Sequence, residues 1–117
     1  MTGLADVVRT MAERPDVAAA VLVSGDGLPI QHAGRRALDA DAVAALAATG
    51  ARHAGSLADA LGLGSMETLV LECAAGLLLL ARLGSGDWLL VIPTEGADLG
   101  ALLYDLRRHS AALASLL

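Results

Sequence analysis

The chain has 117 residues, of which 56% are hydrophobic, with a formal net charge of −5 and one cysteine. That length suits one domain and is too short for two, so residues 1–117 read as a single unit. The acidic balance, with Trp88 and Tyr104 as the whole aromatic inventory, excludes a nucleic-acid surface, which needs clustered positive charge and stacking rings. The apolar content exceeds what a domain of this size normally hides. Its outlets are a membrane, an alanine-rich interior or a surface buried against another subunit. The longest apolar stretch, Leu69 to Leu83, contains Glu72 and Arg82 and falls short of the roughly 20 residues of a spanning helix. Asp6 and Glu13 stand where a secretory signal would need a basic start and an apolar run, so none is expected. Cys73 alone excludes an intrachain disulfide framework and suits a reducing compartment. The expected location is the cytoplasm.

Leu4, Val7, Val8 and Met11 recur at helical spacing, with Asp6 in the first turn and Pro15 as the stop. Val17 to Ser24 and Leu28 to Gln31 form a hairpin around Gly25-Asp26-Gly27, because an Asp-Gly pair tolerates positive φ. Asp39 caps a long helix running to about Leu61, with Asp41 in its first turn, and Gly62 and Gly64 end it. Three apolar runs follow, Glu67 to Cys73, Leu77 to Leu83 and Trp88 to Ile92, separated by turns at Gly76 and at Ser85-Gly86-Asp87. The middle run is apolar on both faces, which predicts a central strand covered on both sides. Asp98 caps a last helix that carries Leu99, Leu102, Leu103, Leu106 and Leu113 on one face. The order α-β-β-α-β-β-β-α with short connections predicts an α/β domain, a five-stranded antiparallel sheet with helices over both faces.

At 100° per residue the middle helix sorts into three strips. Val43, Leu46, Gly50, Ala54, Leu57 and Leu61 form the expected core strip. Thr49, Arg52, His53, Ser56 and Asp59 form a polar one. Ala44, Ala48, Ala51, Gly55 and Ala58 form a third, of small residues only. Small side chains let a second helix approach closely, so this strip reads as a subunit contact that would also absorb the apolar surplus. The alternative is that alanine merely fills the helix.

Residues for catalysis do not assemble. No P-loop, dinucleotide fingerprint or nucleophile elbow occurs, and no cofactor or metal is expected. His32, His53 and His109 fall in separate elements without ligand spacing. Cys73 has no sequence-adjacent histidine and reads as a small hydrophobe. Asp39 and Asp41 read as helix-start residues, and Glu67 and Glu72 as exposed strand positions. Arg35-Arg36 and Arg107-Arg108 read as solvated arginines, although an arginine supplied in trans can stabilise phosphoryl-transfer charge.

The segment Val21-Leu22-Val23-Ser24-Gly25-Asp26-Gly27-Leu28-Pro29-Ile30 resembles the opening hairpin of the Roadblock/dynein light chain family. Leu61-Gly62-Leu63-Gly64 leading into Glu67-Thr68-Leu69-Val70-Leu71-Glu72, and Leu99 to Arg108, are similar to later parts of it. The resemblance implies a profilin-like three-layer α/β/α fold with strand order 2-1-5-4-3. It implies homodimers or heterodimers in which the third strands pair and the middle helices pack side by side. Here those would be Leu69, Val70 and Leu71 together with the strip Ala44, Ala48, Ala51, Gly55 and Ala58. Bacterial members of the gliding-motility type regulate Ras-like small GTPases, some as activators and some as scaffolds. The expected function is therefore a non-enzymatic homodimeric regulator or adaptor, with Arg52, His53 and Asp59 facing the partner. The alternatives are a scaffold for another Roadblock or polarity protein that never contacts a GTPase, and a small-ligand sensor domain.

Overall fold

A computed structural model describes residues 3–84 and 86–117, with the backbone alone at position 114. In chain order the elements are α1 (Leu4–Ala12), β1 (Val17–Val23), β2 (Pro29–Gly34), α2 (Ala40–Ala60), β3 (Thr68–Cys73), β4 (Gly76–Arg82), β5 (Trp88–Pro93) and α3 (Leu99–Leu116). Each helix of the sequence reading is present. The cap at Asp39 forms, its Oδ1 accepting the Ala42 N–H at 3.2 Å, an arrangement that contributes about 1 kcal/mol. Asp98 does the same for the Ala101 N–H at 3.1 Å. In the hairpin, Gly27 takes a φ of 88° and lies against α2, where a Cβ would be in van der Waals contact with Ala45 and Ala48. The turn thus serves two ends, reversing the chain and seating it against α2. Of the turn expected at Ser85-Gly86-Asp87, Ser85 lies outside the described residues. The Leu83 N–H to Asp87 carbonyl bond, at 2.8 Å, closes it.

The strands form one antiparallel sheet in the order β2-β1-β5-β4-β3. Its faces carry separate cores. On one, α1 and α3 cover Val17, Leu22, Leu79, Leu89 and Val91 with Met11, Leu102, Leu106 and Leu113. On the other, α2 covers Val21, Val23, Leu80 and Leu90. Leu102, Leu106 and Leu113 on the inner face of α3 are at most 1% exposed, as the leucine spacing predicts.

The structure corrects two expectations. The central strand is β5, not the run Leu77 to Leu83. β4 is covered on both faces only over Leu79, Leu80 and Ala81, while Leu77 and Leu78 stay half-buried. Its unbroken apolarity reflects a covered half and a half that lines a groove.

The second correction concerns α2. Ala44, Ala48 and Ala51, expected at a subunit contact, are 0%, 7% and 3% exposed against this chain's own sheet. Gly55 and Ala58 beside them are half-buried. Leu46, Leu57 and Leu61, expected in the core, are 73%, 64% and 64% exposed. The small strip faces the sheet and the larger apolar strip faces outward. A sheet face already filled by valines and leucines leaves no depth for a second leucine layer, so the helix settles on its smallest side chains.

Candidate functional site

With the small strip turned inward, the first half of the outward apolar strip of α2 lines a groove of about 1000 Å³ that runs from the β3–β4 hairpin to the segment after β5. Val43, Leu46 and Gly50 line the helix side, and Leu69, Leu71 and Leu78 the sheet side. Leu69 and Leu71 stand opposite Leu80 and Leu78 in the β3–β4 ladder, which puts all four on the α2 face. β3 is an edge strand. Leu69 is half-buried, and Val70 and Leu71 are 39% and 44% exposed. An edge this apolar, without Pro or Lys, is open to pairing with another chain.

The outward strip has a further property. Val43 and Leu61, Leu46 and Leu57, and Gly50 and Ala54 pair off around a centre near position 52. Two antiparallel copies would set large residues against large ones and small against small. That is the self-complementarity a two-fold contact requires.

The polar strip lies on the other flank of α2. Arg52, His53 and Asp59 are all exposed. Thr49 and Ser56 turn their hydroxyls back onto the carbonyls of Ala45 and Arg52, each at 3.0 Å. Neither Arg52 nor Asp59 has an ion-pair partner among the described residues. Arg35 donates to the Val17 carbonyl at 2.8 Å, and Arg36 lines the groove, so the pair divides between a structural role and a rim position. Among the described residues no three His, Cys, Asp or Glu side chains gather where they could hold a metal ion. His32, His53 and His109 stand on β2, α2 and α3, and the structure does not bring them together. Cys73 is exposed at the end of β3.

One charged cluster escapes sequence reasoning. Arg14, just after α1, grips Asp16 through two bonds of 2.8 and 2.9 Å and also pairs with Asp105 on α3. All three side chains are about one-quarter exposed. Arg14 and Asp16 are near neighbours, but nothing in the chain signals that Asp105, 91 positions away, joins them. The Arg14 guanidinium holds the Asp16 carboxyl below its usual range through its hydrogen bonds, and does the same to Asp105, with Arg108 and His109 adding to the latter. A depressed carboxyl pKa means that the folded chain binds fewer protons than the unfolded one near pH 4. The resulting stability is present above about pH 5 and is lost as the pH falls through the carboxylate range. In thermal melts across pH 3 to 7 (roughly the range of that linkage), Arg14→Met should show a shallower acid limb than the natural chain. Parallel limbs would show that the cluster contributes no linkage.

The Roadblock/LC7 domain model matches residues 4–93. No curated protein matches the chain in sequence. Among solved structures, a Roadblock/LC7 domain from Streptomyces avermitilis is 29% identical and superposes with a TM-score of 0.86, covering 97% of each chain. Myxococcus xanthus MglB is 24% identical with a TM-score of 0.89, over 97% of this chain and 93% of its own. The gliding protein MglB of Thermus thermophilus is 22% identical with a TM-score of 0.84, over 99% and 92%. With the strand order and element order already in hand, the match over residues 4–93 shows that the chain belongs to the Roadblock/LC7 family.

Proposed function

We propose that this chain is a non-enzymatic, cytoplasmic homodimer that serves as an adaptor or regulator of a bacterial Ras-like small GTPase. The observation that carries the dimer is the outward strip Val43-Leu46-Gly50-Ala54-Leu57-Leu61, whose order of large and small residues is the same from either end and whose first half shares a groove with the edge strand β3. Two copies joined there would bury four leucines per helix pair at Leu46 and Leu57 and extend the sheet through Leu69, Val70 and Leu71. This surface takes over the role expected of Ala44, Ala48 and Ala51, which the chain's own sheet already covers.

Support for the GTPase comes from the family resemblance in the hairpin and the following segments, and from fold-level likeness to two MglB proteins, one described as a gliding protein. The polar flank with Arg52, His53 and Asp59 supplies unpaired charge on the outer side of α2, where one partner could meet both protomers of a two-fold dimer. The test is co-elution of the purified chain with a Ras-like GTPase from the same genome, loaded with a non-hydrolysable GTP analogue or with GDP. Single-turnover hydrolysis then separates an activator from a scaffold. Arg52→Glu should weaken binding by about tenfold, equivalent to about 1.4 kcal/mol, while shifting stability by less than about 0.5 kcal/mol. Unchanged affinity would move the contact off this flank.

A further inference from the structure

At the C-terminal half of α2 a small cleft of about 190 Å³ opens between the helix and the end of the sheet. Ala51, Gly55 and Asp59 form the helix side, and Ser65, Met66, Arg82 and Trp88 the other. Two features of it have no role in the fold. Gly55 sits inside a 21-residue helix, where glycine is unfavourable relative to alanine. A Cβ there would meet nothing within 4 Å. Close packing does not require the glycine, and its effect is to leave the helix side of the cleft open. Asp59 and Arg82 line the same space, yet neither has an ion-pair partner among the described residues. Arg82 and Trp88 stand directly opposite in the β4–β5 ladder, so their side chains share a face.

The cleft is smaller than the roughly 300 Å³ at which metabolite pockets begin and suits a single side chain. Its walls at Ala51, Met66 and Trp88 call for an apolar body. Its charges narrow the choice further. A carboxylate would satisfy Arg82 and be repelled by Asp59, and an ammonium or guanidinium would do the reverse. A phenol meets both, its hydroxyl donating to the Asp59 carboxylate and accepting from the Arg82 guanidinium while the ring packs on the indole. Tyrosine is also among the residues that dominate interface energetics from such pockets. Asp59 joins the cleft to the polar flank of α2, the face assigned to the partner.

We propose that this cleft is the anchor pocket for one tyrosine side chain of the protein partner. The proposal rests on the adaptor reading for the partner's identity, and the pocket itself can be tested without it. Trp88 is the single tryptophan, so its indole N–H is an unambiguous reporter in nitrogen-proton correlation spectra of the full chain. The probes are capped tripeptides Gly-Tyr-Gly, Gly-Phe-Gly and Gly-Ala-Gly. The tyrosine peptide should shift Trp88 and the amides of Ala51, Gly55 and Met66. The phenylalanine peptide should bind about fivefold more weakly for want of the hydroxyl, and the alanine peptide should have no effect. Gly55→Leu fills the space, improves helix propensity and should abolish the shifts while the melting temperature rises. Asp59→Asn should bring the tyrosine peptide down towards the phenylalanine one. A Trp88 signal unmoved by the tyrosine peptide at its solubility limit, or a Gly55→Leu chain that binds it as well as the natural one, overturns the pocket. A GTPase that binds both chains equally also overturns the pocket and leaves the adaptor reading standing. Failure of every GTPase to bind the natural chain removes the adaptor reading and leaves the peptide result to judge the pocket.

Discussion

A double variant, Leu46→Glu with Leu57→Glu, is expected to sediment as a folded monomer at micromolar concentrations, where the natural chain is expected to be the proposed dimer. Both leucines lie outside the monomer core, at 73% and 64% exposed, so their replacement should leave the helical and sheet content unchanged. In the antiparallel pairing each Leu46 faces a Leu57 of the other copy. The double change therefore removes four buried leucines at about 1.5–3 kcal/mol each, roughly 6–12 kcal/mol in all, and sets like charges face to face. A micromolar dimer is held by about 8 kcal/mol and becomes a millimolar one on losing about 4, so even the lower figure separates the copies. Ala48→Arg is the informative contrast. Ala48 is 7% exposed under the helix, so an arginine there should unfold the chain rather than separate two folded copies. Analytical ultracentrifugation with circular dichroism distinguishes the outcomes. A Leu46→Glu, Leu57→Glu chain that stays dimeric would place the contact elsewhere, with the β3 edge next in line.

The second large effect is expected at Gly34. This residue closes β2 at a φ of 137°, where a Cβ would stand 2.5 Å from the Ala18 carbonyl oxygen and 2.5 Å from Ala19 Cα. Both obstacles are backbone of the neighbouring strand and neither can rotate away. The Ala18 carbonyl also accepts the Arg35 and Arg36 N–H groups at 2.9 and 3.0 Å, so displacing it breaks the end of the β1–β2 ladder. Gly34→Ala combines backbone strain with overpacking and should cost about 3 kcal/mol or more, lowering the melting temperature by roughly 10–20 °C for a domain of this size. Gly55→Ala, where a Cβ meets open space, should instead stabilise by about 0.5–1 kcal/mol. Equal melting temperatures for the two variants would refute the close approach at Gly34.

Much of the molecule follows from local rules that act within a few residues. The caps at Asp39 and Asp98 are bonds to the third residue onward. The Gly25-Asp26-Gly27 turn answers to φ, and the leucines of α3 recur at the period that keeps them on one face. Such features are written wherever the interaction partners are also sequence neighbours, which is why the helices, the hairpin and the edge-to-edge meander were legible from the chain alone.

The tertiary structure decided the rest, and the reason is distance along the chain. Arg14 meets Asp105 only because α3 folds back across the corner after α1. The cleft at Gly55 exists only because β4 and β5 bring Arg82 and Trp88 beneath α2. The orientation of α2 is the plainest case. Hydropathy ranks leucine above alanine and so points Leu46, Leu57 and Leu61 inward. Yet the depth between helix and sheet is set by the side chains already on the sheet, and Val21, Val23, Leu80 and Leu90 leave room beneath the middle of the helix for alanine, with Val43 packed at the edge. The face that buries best in a monomer was therefore the small one. The larger apolar face remains outside, where only a second surface can cover it.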